Sequence, residues 1–125
     1  MTSNYLESVF DFGKATEILI VVFFDESLLL QFDENTYHFP KITFQQPISF
    51  TIKSFIFNQI KCLIKEPYFV GMHNTIAIFT VRVYKRTDYF VPGYLFYPIE
   101  DAYKVLNMPE HIKSEIFYKA YELMK

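Results

Sequence analysis

Carboxylates are missing from the middle of this chain. No aspartate or glutamate occurs from residue 35 to residue 65, although 14 are present overall. That gap removes the ligands a hard divalent cation would need from this stretch. Cysteine occurs once, at Cys62, which excludes an internal disulfide framework and fits a reducing compartment. Glycine occurs three times, at the isolated positions Gly13, Gly71 and Gly93, so no glycine-rich phosphate loop is present. Most turns must then be built from Asp, Asn and Pro. The longest apolar run, ILIVVFF at 18–24, falls well short of the ~20 residues of a membrane-spanning helix. The opening MTSNYLESVFDFGK has no basic start followed by an apolar run, so no secretory signal is read, and a cytoplasmic protein with no membrane partner is expected. The formal net charge is −2, with no overall basic surplus, and direct nucleic-acid binding is disfavoured on that balance.

What is present is apolar and aromatic. Half of the residues are hydrophobic, with Phe 15 and Tyr 10, which excludes disorder and predicts one domain over 1–125. Residues 1–14 are weakly patterned and read as a helical turn, a short edge strand or a lid on the core. The β-branched and aromatic run 15–24 reads as a central strand, turning at Asp25-Glu26-Ser27 into a second strand at 28–32. After a polar turn, residues 37–44 are extended but broken by Pro40, which lacks an amide donor. A long helix is predicted over 47–65, starting at Pro47 or Ser49. On a helical wheel its apolar residues, Phe50 and Phe57 included, cover more than half the circumference. Strands follow at 68–72, 75–85 and 94–97. In the second of these Ala77, Phe79, Val81 and Val83 face one way, and Ile76, Ile78, Thr80, Arg82 and Tyr84 the other. A short helix at 100–106 precedes a last one reaching Met124, with Asn107 near its cap and a buried stripe of Ile112, Ile116, Ala120 and Leu123.

With this order in place, the segment Tyr37-His38-Phe39-Pro40 leading through a loop into a helix is similar to the Nudix fold. The tail YLFYPIEDAYKVLNMPEHIKSEIFYKAYELM resembles the closing part of that family. His73-Asn74-Thr75 is similar to the corresponding point in Nudix-like domains, including the substrate-sensing domain of adenine glycosylases. The resemblance spans roughly 15–124. It implies an α+β fold, an α/β/α sandwich with a mixed sheet between helices. In that family, paired glycines after the proline and then several glutamates and an arginine hold Mg²⁺ against a diphosphate. Here Lys41-Ile42 stand in place of the glycines. Aligning Ser49 with the family's helix-starting serine puts Ile56, Phe57, Ile60 and Lys61 roughly where the arginine and glutamates belong. The resemblance therefore implies the scaffold and argues against metal-dependent hydrolysis.

Other constellations read more plainly. The pairs Asp25-Glu26, Asp33-Glu34 and Glu100-Asp101 sit at turns or a helix start, where acids serve the turn or the helix dipole. His38, His73 and His111 lack metal-ligand spacing, and a Cys62–His73 dyad is the one nucleophilic pairing to consider. Lys53, Lys61, Lys65, Arg82, Lys85 and Arg86 form a modest basic set that reads first as a solvated face. The leading expectation is a binding domain with no catalytic residues, no metal and no cofactor. It would engage a protein or ribonucleoprotein complex, or itself as a homodimer, through Phe50, Phe57, Lys61 and Lys65. A second expectation is a nucleotide or small-molecule sensor that uses Tyr37, Phe39 and Arg82. A third is a hydrolase with relocated ligands among Glu34, Glu66 and Glu100.

Overall fold

Two parallel strands far apart in sequence form the spine of the fold. The computed structural model describes residues 5–87 and 91–125. In chain order the elements are β1 (Glu17–Phe24), β2 (Ser27–Asp33), β3 (Thr36–His38) and β4 (Lys41–Thr43), then α1 (Ile48–Phe55), which continues as a π-helical turn (Ile56–Ile60). β5 (Cys62–Ile64), β6 (Tyr68–His73), β7 (Ile76–Arg86), β8 (Tyr94–Pro98), α2 (Ile99–Val105) and α3 (Glu110–Met124) complete it. β1 and β7 run parallel, from Glu17 opposite Ile76 to Phe23 opposite Arg82. The outer edge of each is split. On β1, Glu17 to Leu19 pair with β4, and Phe23 and Phe24 pair with β2. On β7, Ile76 to Thr80 pair with β6, and Val83 to Arg86 with β5. β2 carries β3 and β8 outward, completing a mixed eight-stranded sheet.

Period-two alternation gives this sheet two apolar faces. Ile18, Ile20 and Val22 of β1, with Ala77, Phe79, Val81 and Val83 of β7, pack against Ile52, Ile56 and Ile60. Val21, Phe23 and Ile78 face the other way, onto Ala102 of α2 and Ile112, Ile116 and Ala120 of α3. The expected sandwich of helices on both faces of a mixed sheet is therefore present. The scarcity of glycine is met at one hairpin by the expected Asn, joined by a Glu. Glu34 and Asn35 both take left-handed φ (48° and 63°), the turn that matches strand twist in a two-residue loop.

The predicted helix over 47–65 is too long. It stops at Ile60, because Lys61 takes a left-handed φ of 64° and its N–H closes on the Ile56 carbonyl. Cys62, Leu63 and Ile64 then form β5 and pair with the end of β7. Their apolar run suits a buried strand as well as a helix, and pairing satisfies the backbone of the β7 edge. Ser49 does not cap α1, since Pro47 precedes it without a side-chain cap and the Ser49 hydroxyl donates to Glu66 (2.7 Å). Asn107 does not cap α3 either; its backbone N–H donates to the Tyr37 carbonyl (2.9 Å). In α3 it is Met124 that is buried, whereas Leu123 and Tyr121 are exposed.

The start of the described chain is an arm laid across the β6 edge. Glu7 and Met72 exchange both backbone hydrogen bonds at 2.8 Å, and Leu6 sinks into the core at 2 % exposure. Gly71 permits this approach: a Cβ there would stand 2.8 Å from Leu6 Cβ. On the other side the Glu115 carboxylate accepts the N–H groups of Tyr5 (2.6 Å) and Leu6 (3.1 Å) and pairs with Lys119 (2.9 Å).

Candidate functional site

The split edge of β1 opens a cleft. β2 leaves β1 after two pairs, and β4 joins β1 only at its start, so the chain crosses between them at Phe39-Pro40. The Pro40 carbonyl accepts the Ile20 N–H (2.9 Å), which pins the crossing to β1. A cavity of about 470 Å³ lies beside it, walled by β2, β3, β4 and the residues before α3. Its polar groups are Gln31, Asp33, His38, Lys41 and Asn107. His38 Nε2 lies 3.0 Å from Asp33 Oδ1 and its Nδ1 lies 3.3 Å from the Phe39 carbonyl, so the ring is held at both ends. Lys41 Nζ stands 3.7 Å from Glu17 at the mouth. Such a cleft offers both donors and acceptors to a small polar ligand.

The residues expected to bind a ligand are distributed differently. Phe39 is 2 % exposed and forms part of the cleft's apolar floor, packed on Phe117, so it offers no free face for stacking. Tyr37 sits behind the cleft wall, its ring against Phe32 and Tyr97 at centroid distances of 4.7 and 5.2 Å. The Tyr97 hydroxyl donates to the Tyr37 hydroxyl (2.8 Å), and this bond, aided by burial, raises the Tyr97 pKa. Arg82 is elsewhere. It lies six residues along β7 from the cleft residue Ile76, ~20 Å away at the rise of a strand. Its guanidinium donates to the Met124 carbonyl, beside a separate 230 Å³ pocket that includes Asp25, Glu26 and Tyr121. The structure thus brings Phe39 to the cleft, Tyr37 to its back and Arg82 to neither.

Sequence reasoning passed over His38, Asp33, Gln31, Lys41 and Asn107 as a group. The hairpin signal holds part of it: a two-residue turn at Glu34-Asn35 sets Gln31 opposite His38, with Asp33 on the same face. Lys41 and Asn107 come from other elements and leave no local trace.

A second concavity, about 350 Å³, runs between α1 and β5. Phe50, Lys53, Ser54, Phe57 and Asn58 line one side, at the three- and four-residue spacing of one helix face. Leu63, Ile64 and Tyr84 line the other. Leu63 pairs with Lys85 and Ile64 with Val83, so Tyr84 is the extra residue of a β-bulge, which re-aims its side chain toward the groove. Phe50, Phe57 and Tyr84 are 67 %, 55 % and 57 % exposed. Lys61 and Lys65 are exposed at the two ends of β5. Glu66 is engaged by the Lys53 ammonium and by Ser49, and those hydrogen bonds, Lys53 first, hold its carboxyl below the usual range.

Cys62 is buried and donates weakly to the Ile60 carbonyl (3.7 Å); burial pushes its thiol up, with Arg86 opposing. It lies opposite Arg86, whereas His73 lies opposite Ile76, ten residues back along β7, so a Cys62–His73 dyad does not form. Among the described residues no group of three or more His, Cys, Asp or Glu is placed to hold a metal ion, so Glu34, Glu66 and Glu100 join no such group. Among them, no helix is long and apolar enough to cross a membrane.

No family model matches the sequence, and no curated protein matches it. Solved structures do. The fold is that of the Nudix hydrolases, an α+β architecture with a mixed sheet and three helices. A pyrophosphohydrolase of Bacillus subtilis is similar with a TM-score of 0.65 at 11 % identity, over 96 % of this chain and 89 % of that one. A Nudix hydrolase of Nitrosomonas europaea gives 0.57 at 12 % identity, over 90 % and 91 %. A UDP-X diphosphatase gives 0.62 at 12 % identity, over 94 % and 67 %. At these identities the likeness is one of fold.

Proposed function

We propose that this chain is a Nudix-fold binding domain that does not hydrolyse its ligand, and that its working surface is the face formed by α1 and β5. One observation carries the reading. The helix after Phe39-Pro40 presents isoleucine, phenylalanine, lysine, serine and threonine, and no carboxylate. Mg²⁺ bound against a diphosphate takes oxygen ligands with near-octahedral geometry, carboxylates foremost. The residues here do not fit that ion. Ile52, Ile56 and Ile60 serve the core instead, and the groove that remains is lined by Phe50 and Phe57 beside Lys61 and Lys65. Such a surface suits a protein or ribonucleoprotein partner, or a second copy of the chain. The test is turnover of a panel of nucleoside diphosphate derivatives with Mg²⁺ or Mn²⁺. No hydrolysis is expected. Robust hydrolysis overturns the reading and revives a hydrolase with relocated ligands.

The 470 Å³ cleft supports a second reading, a nucleotide or small-molecule sensor. His38, Asp33, Lys41 and Asn107 supply its polar contacts in place of the stacking expected of Tyr37 and Phe39. A ligand that binds only the folded state raises the melting midpoint, by about 2.7 kcal/mol of stability at a hundred times its Kd. No shift across a nucleotide panel counts against this reading.

A further inference from the structure

The lysines and arginines of this chain are unevenly spread. From residue 51 to residue 87 there are six, Lys53, Lys61, Lys65, Arg82, Lys85 and Arg86, against one carboxylate, Glu66. The net charge of −2 conceals this basic stretch. Three of the six have other work. Arg82 holds the Met124 carbonyl, Arg86 lies over the rings of Phe96 (4.8 Å) and Phe24 (5.6 Å), and Lys53 engages Glu66. Lys61, Lys65 and Lys85 are exposed, the first two at opposite ends of β5 and the third on β7 opposite Leu63. Each adjoins a residue that lines the groove of Phe50, Phe57 and Tyr84: Lys61 precedes Cys62, Lys65 follows Ile64 and Lys85 follows Tyr84. Phe50 and Phe57 are seven residues apart, ~10 Å along the helix axis, enough for each to take a separate base.

Open rings at intervals, with cations next to the groove's lining residues and Glu66 already paired, match the chemistry of a single nucleic-acid strand. Bases stack on the rings and phosphates meet the lysines. A duplex hides its base faces from the rings, and an apolar protein surface has no use for three exposed lysines beside it. Ser54 and Asn58 lie in the groove with side chains that both donate to and accept from a 2′-hydroxyl, the group that distinguishes RNA from DNA. We propose that the α1–β5 groove binds single-stranded RNA, with Phe50, Phe57 and Tyr84 as stacking platforms and Lys61, Lys65 and Lys85 as phosphate contacts. The proposal rests on the α1–β5 face being the working surface and names its partner.

The test is fluorescence anisotropy of a labelled single-stranded RNA of about 12 nucleotides, within the site sizes such grooves take, titrated with the full chain. Saturable binding is expected at low salt. Three phosphate contacts on a single strand imply an affinity loss of about 20-fold between 50 and 200 mM salt. Phe50→Ala and Phe57→Ala should each weaken binding at least ~5-fold with an unchanged melting midpoint. Lys61→Gln with Lys65→Gln should flatten the salt dependence. The same sequence as DNA, or as duplex RNA, should bind more weakly. The proposal is overturned by an absence of saturable binding at low salt, by binding indifferent to both ring substitutions, or by equal binding of DNA. It is also overturned if polyglutamate displaces the RNA as readily as unlabelled RNA does, which would point to an acidic protein partner. Each of these failures leaves the non-hydrolytic reading standing, because turnover with Mg²⁺ or Mn²⁺ decides that separately.

Discussion

Glu115 is the residue through which the N-terminal arm should be most sensitive to a single change. Its side chain is 10 % exposed, accepts two backbone N–H groups of the arm and pairs with Lys119. Replacing Glu115 with alanine leaves the chain two choices. The arm stays, with two N–H groups deprived of a charged acceptor, or it lifts, and Leu6 loses its burial. Hydrogen bonds to charged groups are worth about 1.5–3 kcal/mol each, and burying a leucine about 1.5–3 kcal/mol. The cheaper route, lifting the arm, bounds the loss at about 1.5–3 kcal/mol. Unfolding entropy of about 2.1 cal/mol/K per residue over 125 residues turns this into a fall of about 6–11 °C in Tm. Glu115→Gln keeps the shape and one acceptor oxygen, so about half that loss is expected. The effect also carries a pH signature. Burial alone would raise the Glu115 pKa, but Lys119 and the N–H groups of Tyr5 and Leu6 outweigh it and hold the carboxyl below its usual range. A carboxyl depressed in the folded state stabilises fully above its unfolded pKa, about 4.3. That contribution is lost as pH falls through the folded value. Urea titrations of wild type and Glu115→Gln should therefore differ at pH 7 and draw together as pH falls below the unfolded pKa and through the lower folded one. Hydrogen exchange at the Tyr5 and Leu6 amides should speed up in the variant. A Gln variant within about 0.5 kcal/mol of wild type at pH 7, or a gap that does not change with pH, would refute this account of the arm.

Three further outcomes follow from burial. Ile56 is fully buried against the sheet, so Ile56→Ala should lower stability by about 2–5 kcal/mol in urea, whereas Phe57→Ala, one residue on, should change it by less than about 0.5 kcal/mol. Equal effects would mean the helix face is assigned wrongly. Gly71→Ala places a methyl group 2.8 Å from Leu6 Cβ and should destabilise by about 1–3 kcal/mol. The same change in a Leu6→Ala background should cost less, and a double-mutant cycle reads that coupling. Without coupling, the arm does not lie where Leu6 and Gly71 place it.

Much of this architecture is visible in local pattern. β1 and β7 announce themselves by runs rich in β-branched residues, β2 by the polar turn that precedes its leucines, and Pro40 marks where one extended run divides into β3 and β4. The helix wheel was less discriminating. It gave all the apolar residues of 47–65 one broad face, whereas the chain turns Ile52, Ile56 and Ile60 inward and leaves Phe50 and Phe57 in water. Periodicity could not separate Cys62-Leu63-Ile64 from that helix either, because three apolar residues fit both periods. What turns them into a strand is the open edge of β7, a partner some twenty residues further on. The cleft is hidden for the same reason. Asp33 and His38 are joined by a tight turn, but Lys41 and Asn107 meet them only through the sheet and the α2–α3 connection. Arg82 shows the reverse error: strand alternation predicted its face correctly but gave no information about its distance from Tyr37.

The parallel pairing of β1 with β7 also fixes when the protein can finish folding. Thr80 donates to the Val21 carbonyl (3.0 Å) across 59 residues of chain. A ribosome adding about 5–20 residues per second makes that interval last about 3–12 s. Through it the most apolar strand of the molecule has only β2 and β4 as neighbours, and the edge destined for β7 stands open. An unpaired apolar edge is where chains associate wrongly. The hairpin at Asp25-Glu26 and the return at Pro40 are therefore the parts that shelter β1 during synthesis, before the spine exists.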